Sequence, residues 1–164
     1  MAVAKKPIQG RSRKASLPEH FDLQAQPGIV FRRLANASHS IFHELSGQDG
    51  ITGPQLTVLV TLIQNGPMIQ SEMSKAVSMD KNTLAEMLRR MHERGLITRK
   101  TPASDKRAIQ IGITEDGRRT ASALVEPARA VGEALLAPLP PEYRPLFLKC
   151  LNILAASIAG EGAR

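Results

Sequence analysis

The chain has 164 residues, 42% of them apolar but only 3% aromatic, so any core must be built from Leu, Ile, Val, Ala and Met. Such side chains suit helices packed on helices better than a sheet sandwich, and a formal charge of +7 points toward a polyanionic partner. No apolar run approaches the roughly 20 residues that span a bilayer, no secretory signal pattern opens the chain, and a single Cys150 excludes an internal disulfide framework, so the cytoplasm is the expected compartment.

Residues 1–20 carry Lys5, Lys6, Arg11, Arg13 and Lys14 among Gly, Ser, Pro and Gln, without helical or strand period. They read as a disordered basic arm that either aids solubility or touches nucleic-acid phosphate. From Pro27 an apolar stripe of Val30, Leu34, Ile41 and Leu45, with Phe31, Ser38 and Phe42 beside it, predicts a helix to about Ser46. Thr52-Gly53-Pro54-Gln55 has capping-box spacing and opens a short helix that Asn65-Gly66-Pro67 stops.

A third helix is predicted over about Gln70–Val77, although Ile69 stands where a polar N-cap is usual. Asp80 then caps a fourth helix whose stripe is Leu84, Met87, Leu88 and Met91, and Gly95 closes it. Leu96–Arg99 and Ala108–Ile113 alternate in strand fashion around a polar loop and predict a β-hairpin. Thr114-Glu115-Asp116 caps a helix expected to run to about Ala137, and a last helix is expected from Pro140 to about Ala159. That last helix carries more apolar surface than one solvent-facing helix needs, so part of it should pack on a second subunit.

The order helix, helix, helix, hairpin is that of a winged helix-turn-helix, in which one helix enters the major groove of DNA and the hairpin reaches beside it. The fold class expected is mainly α with a small β-hairpin wing. Residues 52–114 form the DNA-binding lobe, flanked by dimerisation helices over 27–46 and 115–160. Between Lys81 and Arg107 eight basic residues face three acids, a bias that a winged helix used only for protein contact leaves unexplained. No glycine-rich phosphate loop, nucleophile elbow or paired-carboxylate motif occurs, so no enzyme and no cofactor are expected.

Asp80-Lys81-Asn82-Thr83-Leu84, Arg-Gly-Leu-Ile-Thr-Arg at 94–99, Asp105-Lys106-Arg107-Ala108 and Ile113-Thr114-Glu115-Asp116-Gly117-Arg118 together resemble the MarR family of regulators. The resemblance implies a homodimer that binds a pseudo-palindromic operator on double-stranded DNA, with its two recognition helices roughly 34 Å apart. It implies repression relieved by a small aromatic effector, often phenolic or a carboxylate. Carried onto this sequence, it places Lys81, Asn82 and Thr83 at the start of the recognition helix. Arg107 resembles the family's minor-groove arginine and Asp105 the acid that braces it; Arg89, Arg90, Arg99 and Lys106 complete the candidate DNA contacts.

Glu86 departs from the family's basic or small residue; it either accepts from a cytosine amine or faces solvent, and solvent is the expectation. Arg32, Asn36, His39 and His43 form a polar stripe opposite the first helix's apolar face. The stripe is either a solvated face or, in a dimer, the lining of an effector cleft, with Arg33 an alternative anchor. Cys150 is expected to pack rather than sense oxidants, redox sensing through it being the rival regulatory reading. His20, His39, His43 and His92 lack partners at metal-ligand spacing, so no metal site is expected.

Overall fold

The computed structural model describes residues 21–47, 50–102 and 107–161. The basic arm expected over residues 1–20 and the loop residues Asp105 and Lys106 lie outside the described residues.

Local capping chemistry sets most helix boundaries. Helix α1 (Pro27–Leu45) starts on a proline, whose missing N–H costs nothing there. Helix α2 (Gly53–Asn65) carries the reciprocal box: Gln55 N–H donates to Thr52 Oγ1 at 3.4 Å, and Thr52 N–H donates to Gln55 Oε1 at 2.9 Å. Strand β1 (Met68–Ile69) follows and leads into helix α3 (Gln70–Ala76). The turn to helix α4 (Lys81–Glu93) places Ser78 at φ 50°, with Met79 N–H bonded to Ser74 O at 3.1 Å and Ser74 Oγ donating to Met79 O at 2.6 Å. Gly95, at φ 73°, ends α4 in the left-handed conformation that a side chain resists.

Strands β2 (Ile97–Lys100) and β3 (Gln110–Ile113) pair antiparallel, Ile97 opposite Ile113 and Arg99 opposite Ile111. The expected hairpin is therefore present, but the sheet has a third strand: β1 pairs with β3, Met68 opposite Ile111, giving the order β1-β3-β2. Two residues are too few to show alternation in a sequence. The extra strand also accounts for the apolar Ile69 before α3. Pairing with β3 fixes the chain there, Gln70 N–H donates to Ile109 O at 2.8 Å, and the Glu72 carboxylate accepts the Ile69 N–H at 3.3 Å.

The long helix expected from Thr114 to Ala137 is two helices, α5 (Glu115–Ala123) and α6 (Val125–Leu136), bent at Leu124. Pro127 has no N–H to offer the Ala123 carbonyl one turn earlier, so the ladder is interrupted where the bend falls. The last helix begins later than expected: a 3-10 turn (Pro141–Tyr143) precedes α7 (Arg144–Glu161). Arg144 holds this corner, donating to Leu139 O at 3.1 Å and Ala137 O at 3.3 Å.

The core is aliphatic and thioether, as the composition requires. Val58, Leu59, Leu62, Met73, Leu84, Leu88, Met91, Ile97 and Ile111 are fully buried, and Phe42 is the one buried aromatic among the described residues. Three methionines, Met87 and Met91 on the inner face of α4 and Met73 of α3, contribute to this core. Helix α1 packs on α6, yet only Phe42 of α1 is buried; Val30, Phe31 and Leu34 of its predicted apolar stripe are exposed. Helix α7 has no buried residue among those described, and Leu146, Leu148, Ile153 and Leu154 open a wide apolar arc to solvent.

One junction ties the lobe together. The Thr114 N–H donates to Leu96 O at 3.2 Å, its hydroxyl lies 2.7 Å from Gly95 O and 2.9 Å from Leu96 O, and Oγ1 accepts the Gly117 N–H at 3.0 Å. Gly117 is buried so closely that a Cβ would stand 2.1 Å from the Leu96 carbonyl oxygen. Gly117→Ala is expected to destabilise the chain by about 3 kcal/mol or more, since a backbone clash cannot relax by rotamer change; urea unfolding measures it. Ser78→Gly removes a left-handed penalty of about 1–2 kcal/mol against a glycine entropy cost of about 0.5–1 kcal/mol. A net gain of about 0.5–1 kcal/mol is expected in the same assay, and a loss would show that Ser78 makes a compensating interaction.

Candidate nucleic-acid interface and effector cavity

The start of α4 is rigidly capped. Asp80 Oδ1 accepts the N–H groups of Asn82 at 3.1 Å and Thr83 at 2.9 Å. The Thr83 hydroxyl and these amides hold the Asp80 carboxyl below the usual aspartate range. Lys81, Asn82 and Thr83 are all exposed in this first turn, while Leu84, Met87, Leu88 and Met91 are buried behind it. The helix thus presents its polar edge outward on a fixed apolar bed.

The wing reaches the same place. Lys81 and Arg107 border one cleft of about 220 Å³, shared with Ile69, Gln70, Ser71 and Ala108. A cation from the recognition helix and another from the wing base therefore stand on one surface. Ser71 was not foreseen as part of it, because no local pattern tells that β1 brings the α3 start against the wing. Gln70 Oε1 is buried there without a hydrogen-bond partner among the described residues.

The remaining cations divide. Arg89 lies between two acids of its own helix: Nε and Nη2 donate to Glu86 at 3.0 and 2.7 Å, and Nη1 donates to Glu93 at 2.5 Å. Arg90 Nε is 3.3 Å from Glu86. Glu86 is consequently held below the usual carboxylate range, chiefly by the Arg89 hydrogen bond, and Arg89 is held above the usual arginine value by its two acids. Glu86 does face solvent, as expected, but as the partner of two arginines. Arg94 donates to Gly50 O at 2.7 Å, tying the end of α4 to the loop before α2. Arg99 is half-buried on the sheet face shared with Ile97 and Ile111, its Nε enclosed, beside His92 and Lys100. His92 Nδ1 lies 3.0 Å from Ile97 O and donates to it, joining α4 to β2.

A second concavity lies behind the turn into α4. A cavity of about 390 Å³ is bounded by Ser38, His39 and Phe42 of α1, by the α2 start at Pro54 and Thr57, by Val77 and Met79, and by Ala128 and Val131 of α6. An adjoining cavity of about 350 Å³ shares His39 and Phe42 and adds His43, Ile51 and Thr52. The structure thus splits the polar stripe of α1. His39 and His43 line cavities, whereas Arg32 and Asn36 are exposed farther along the helix and line neither, and nor does Arg33.

The stripe also does not oppose the packed face: His39 lies beside Phe42, the buried residue of α1, while Val30, Phe31 and Leu34 are exposed. Val77 ends the third predicted helix and Met79 lies in the lead-in to the fourth; only the tertiary arrangement reveals that they wall a cavity. Cys150, expected to pack, is exposed on α7. Among the described residues no three His, Cys, Asp or Glu side chains gather as metal ligands, and no helix is long and apolar enough to cross a membrane.

Comparisons with known proteins agree with this geometry. The MarR family model matches residues 51–109, the span of α2 through the wing. The transcriptional regulator HosA of Escherichia coli is 34% identical over 110 residues, covering 67% of this chain and 79% of that protein. The HTH-type transcriptional repressor NicR of Pseudomonas putida is 25% identical over 142 residues, 87% of this chain and 90% of that one. Among solved structures, the PcaV transcriptional regulator of Streptomyces coelicolor in complex with its natural ligand superposes with TM-score 0.76 at 26% identity, covering 84% of this chain and 97% of that chain.

The Asp80 cap predicts a pH signature. A carboxyl whose folded pKa is depressed stabilises above the unfolded aspartate pKa and loses that contribution as pH falls through the folded value. Asp80→Ala is therefore expected to melt below the wild type at neutral pH, with the gap closing as pH drops below about 4. Asp80→Asn, which keeps an acceptor oxygen, should retain most of the cap at neutral pH. A gap that persists unchanged at pH 2.5–3 would show that the carboxylate is not the source.

Proposed function

The chain belongs to the MarR family, and on that premise we propose that it is a transcriptional repressor. It binds a pseudo-palindromic operator as a cytoplasmic homodimer and leaves it when a small aromatic molecule enters the cavity behind the recognition helix. The observation that carries the DNA-binding half is the shared cleft of Lys81 and Arg107, which makes one basic surface of recognition helix and wing. In this reading Lys81, Asn82 and Thr83 meet base edges and phosphates in the major groove, and Arg107 reaches from the wing toward the minor groove. Arg90, Arg99 and Lys106 remain candidates for backbone contact, and Asp105 for the acid that braces Arg107.

Dimerisation is supported by what α1 and α7 leave uncovered. Val30, Phe31 and Leu34 on one, with Leu146, Ile153 and Leu154 on the other, are large apolar side chains exposed on terminal helices. A second copy covers them and sets two recognition helices on successive turns of one duplex face.

Release is supported by the cavity's walls. Val77 and Met79 flank the Ser78 turn from which α4 springs, while Ser38, His39, Ala128 and Val131 belong to the flanking helices. An occupant that fits only one spacing between these walls stabilises that spacing, and so shifts the recognition helices away from the operator geometry. His39 is the polar anchor suited to a ring hydroxyl or acid, in an otherwise mostly apolar lining.

Selection of bound DNA from a random pool, repeated with a panel of phenols and aromatic acids, tests both halves. Specific binding is expected to fall by about 10³-fold or more between 50 and 200 mM salt, as phosphate contacts exchange with counterions. A flat salt response would favour a winged helix that contacts protein instead. His39→Ala should keep operator affinity within about twofold of wild type and lose ligand-induced release, for want of the anchoring hydrogen bond. An unaltered ligand response in that variant would remove His39 from the effector site.

A further inference from the structure

The outward edge of α4 has an ordered composition. With Leu84, Met87, Leu88 and Met91 turned into the core, the opposite edge carries Asn82, Glu86, Arg89 and Glu93 at helical spacing. Two of these are acids on the edge that faces DNA in the reading above. Unpaired acids there would be repelled by phosphate. Here they are paired: Glu86 takes the Arg89 fork on both oxygens and Arg90 on one, and Glu93 takes the remaining Arg89 arm. Glu86, Arg89, Arg90 and Glu93 sum to zero formal charge, so the middle of the helix adds nothing net to phosphate attraction. Moving Arg89 to a phosphate would strip Glu93 of its partner and leave Glu86 only Arg90 beside a polyanion.

We propose that Glu86 is a specificity-determining residue for DNA recognition. Its arginine-braced carboxylate accepts a hydrogen bond from the exocyclic amine of a cytosine in the major groove. The proposal rests on the DNA-binding reading above and adds to it which base chemistry the middle of the helix selects. A carboxylate offers about four acceptor positions. Arg89 and Arg90 occupy three, and the second lone pair of Oε2 stays open. Cytosine presents only an amine donor in the major groove, whereas thymine O4 and guanine O6 and N7 are acceptors that an acceptor-only carboxylate repels. Adenine, with a donor beside an acceptor, is intermediate. A bidentate hold by Arg89 keeps the carboxylate plane fixed, which a lone surface glutamate lacks.

The test compares base preferences of the full wild-type chain and Glu86→Gln, each selecting from one random DNA pool. Glu86 is an exposed surface residue, with its side chain 48% accessible, and a melting curve verifies that the variant folds. The wild type is expected to demand a C·G pair at one position in each half-site. Glu86→Gln, able to donate as well as accept, should relax that one preference by about tenfold. Its affinity for unrelated DNA should rise, with a salt slope steeper by about one, as Arg89 is released to phosphate. The same preference at every position in both proteins would overturn the proposal, as would a change uniform across all sequences. A wild type that selects no sequence at all would instead overturn the DNA-binding reading, and this proposal with it.

Discussion

The architecture of the DNA-binding lobe depends on one close approach, that of the Gly117 backbone to the Leu96 carbonyl. This carbonyl sits at the end of α4 and the start of the wing, and the Thr114 amide and hydroxyl converge on it from the start of α5. A single residue pair thus sets where recognition helix, wing and following helix lie relative to one another. The same few atoms satisfy backbone groups that a helix end, a strand start and a helix start would each otherwise leave unpaired. His92 and Arg94, reaching Ile97 O and Gly50 O, add independent ties at the same end of α4. The far end, by contrast, is held through the Ser78 turn and the Asp80 cap. Both ends of α4 are therefore fixed, the C-terminal end by ties to the wing and the loop before α2, and the N-terminal end, the one nearest the cavity, by the Asp80 cap after the left-handed Ser78.

Charge is distributed unevenly along α4. Lys81 to Arg107 carry a formal excess of cations, but the middle of the helix neutralises itself. Exposed ion pairs of this kind add little to stability. Their consequence is directional: they hold Arg89 and Arg90 to their own helix, whereas Lys81 and Arg107 border one cleft between helix and wing. In the reading proposed above, long-range attraction to a polyanion then comes from Lys81 and the wing, and base discrimination from the outward edge of α4.

Legibility in the sequence followed the range of the interactions. Thr52 with Gln55, Asp80, Gly95 and Thr114 were readable because capping chemistry is decided within four residues. The hairpin and the buried stripe of α4 were readable because alternation and helical period are local. β1 was not, since two residues carry no period and are a strand only because β3 lies beside them. The bend at Leu124 had a local signal in Pro127, outweighed by an apolar pattern that runs straight through it. The stripe on α1 misled for a different reason. Most of its apolar residues face away from the chain's own core, so amphipathicity marked a covered face without telling which partner covers it. Of the candidate site, residue identities at the α4 start were legible. The pairing of Arg89 with Glu86 and Glu93 is local, three and four residues apart on one helix, whereas the turning inward of Arg99 and the parting of His39 from Arg32 were tertiary facts.

The methionines at the inner face of α4 have a mechanical meaning. Unbranched thioether side chains re-seat at low cost where branched aliphatics would jam or leave a void. Met87 and Met91 of α4 and Met73 of α3 therefore make the helix's seat compliant, while the Gly117 approach admits no added atom. An error of side-chain volume beneath the helix is absorbed by thioether rotamers; one at the junction with the wing has nowhere to go.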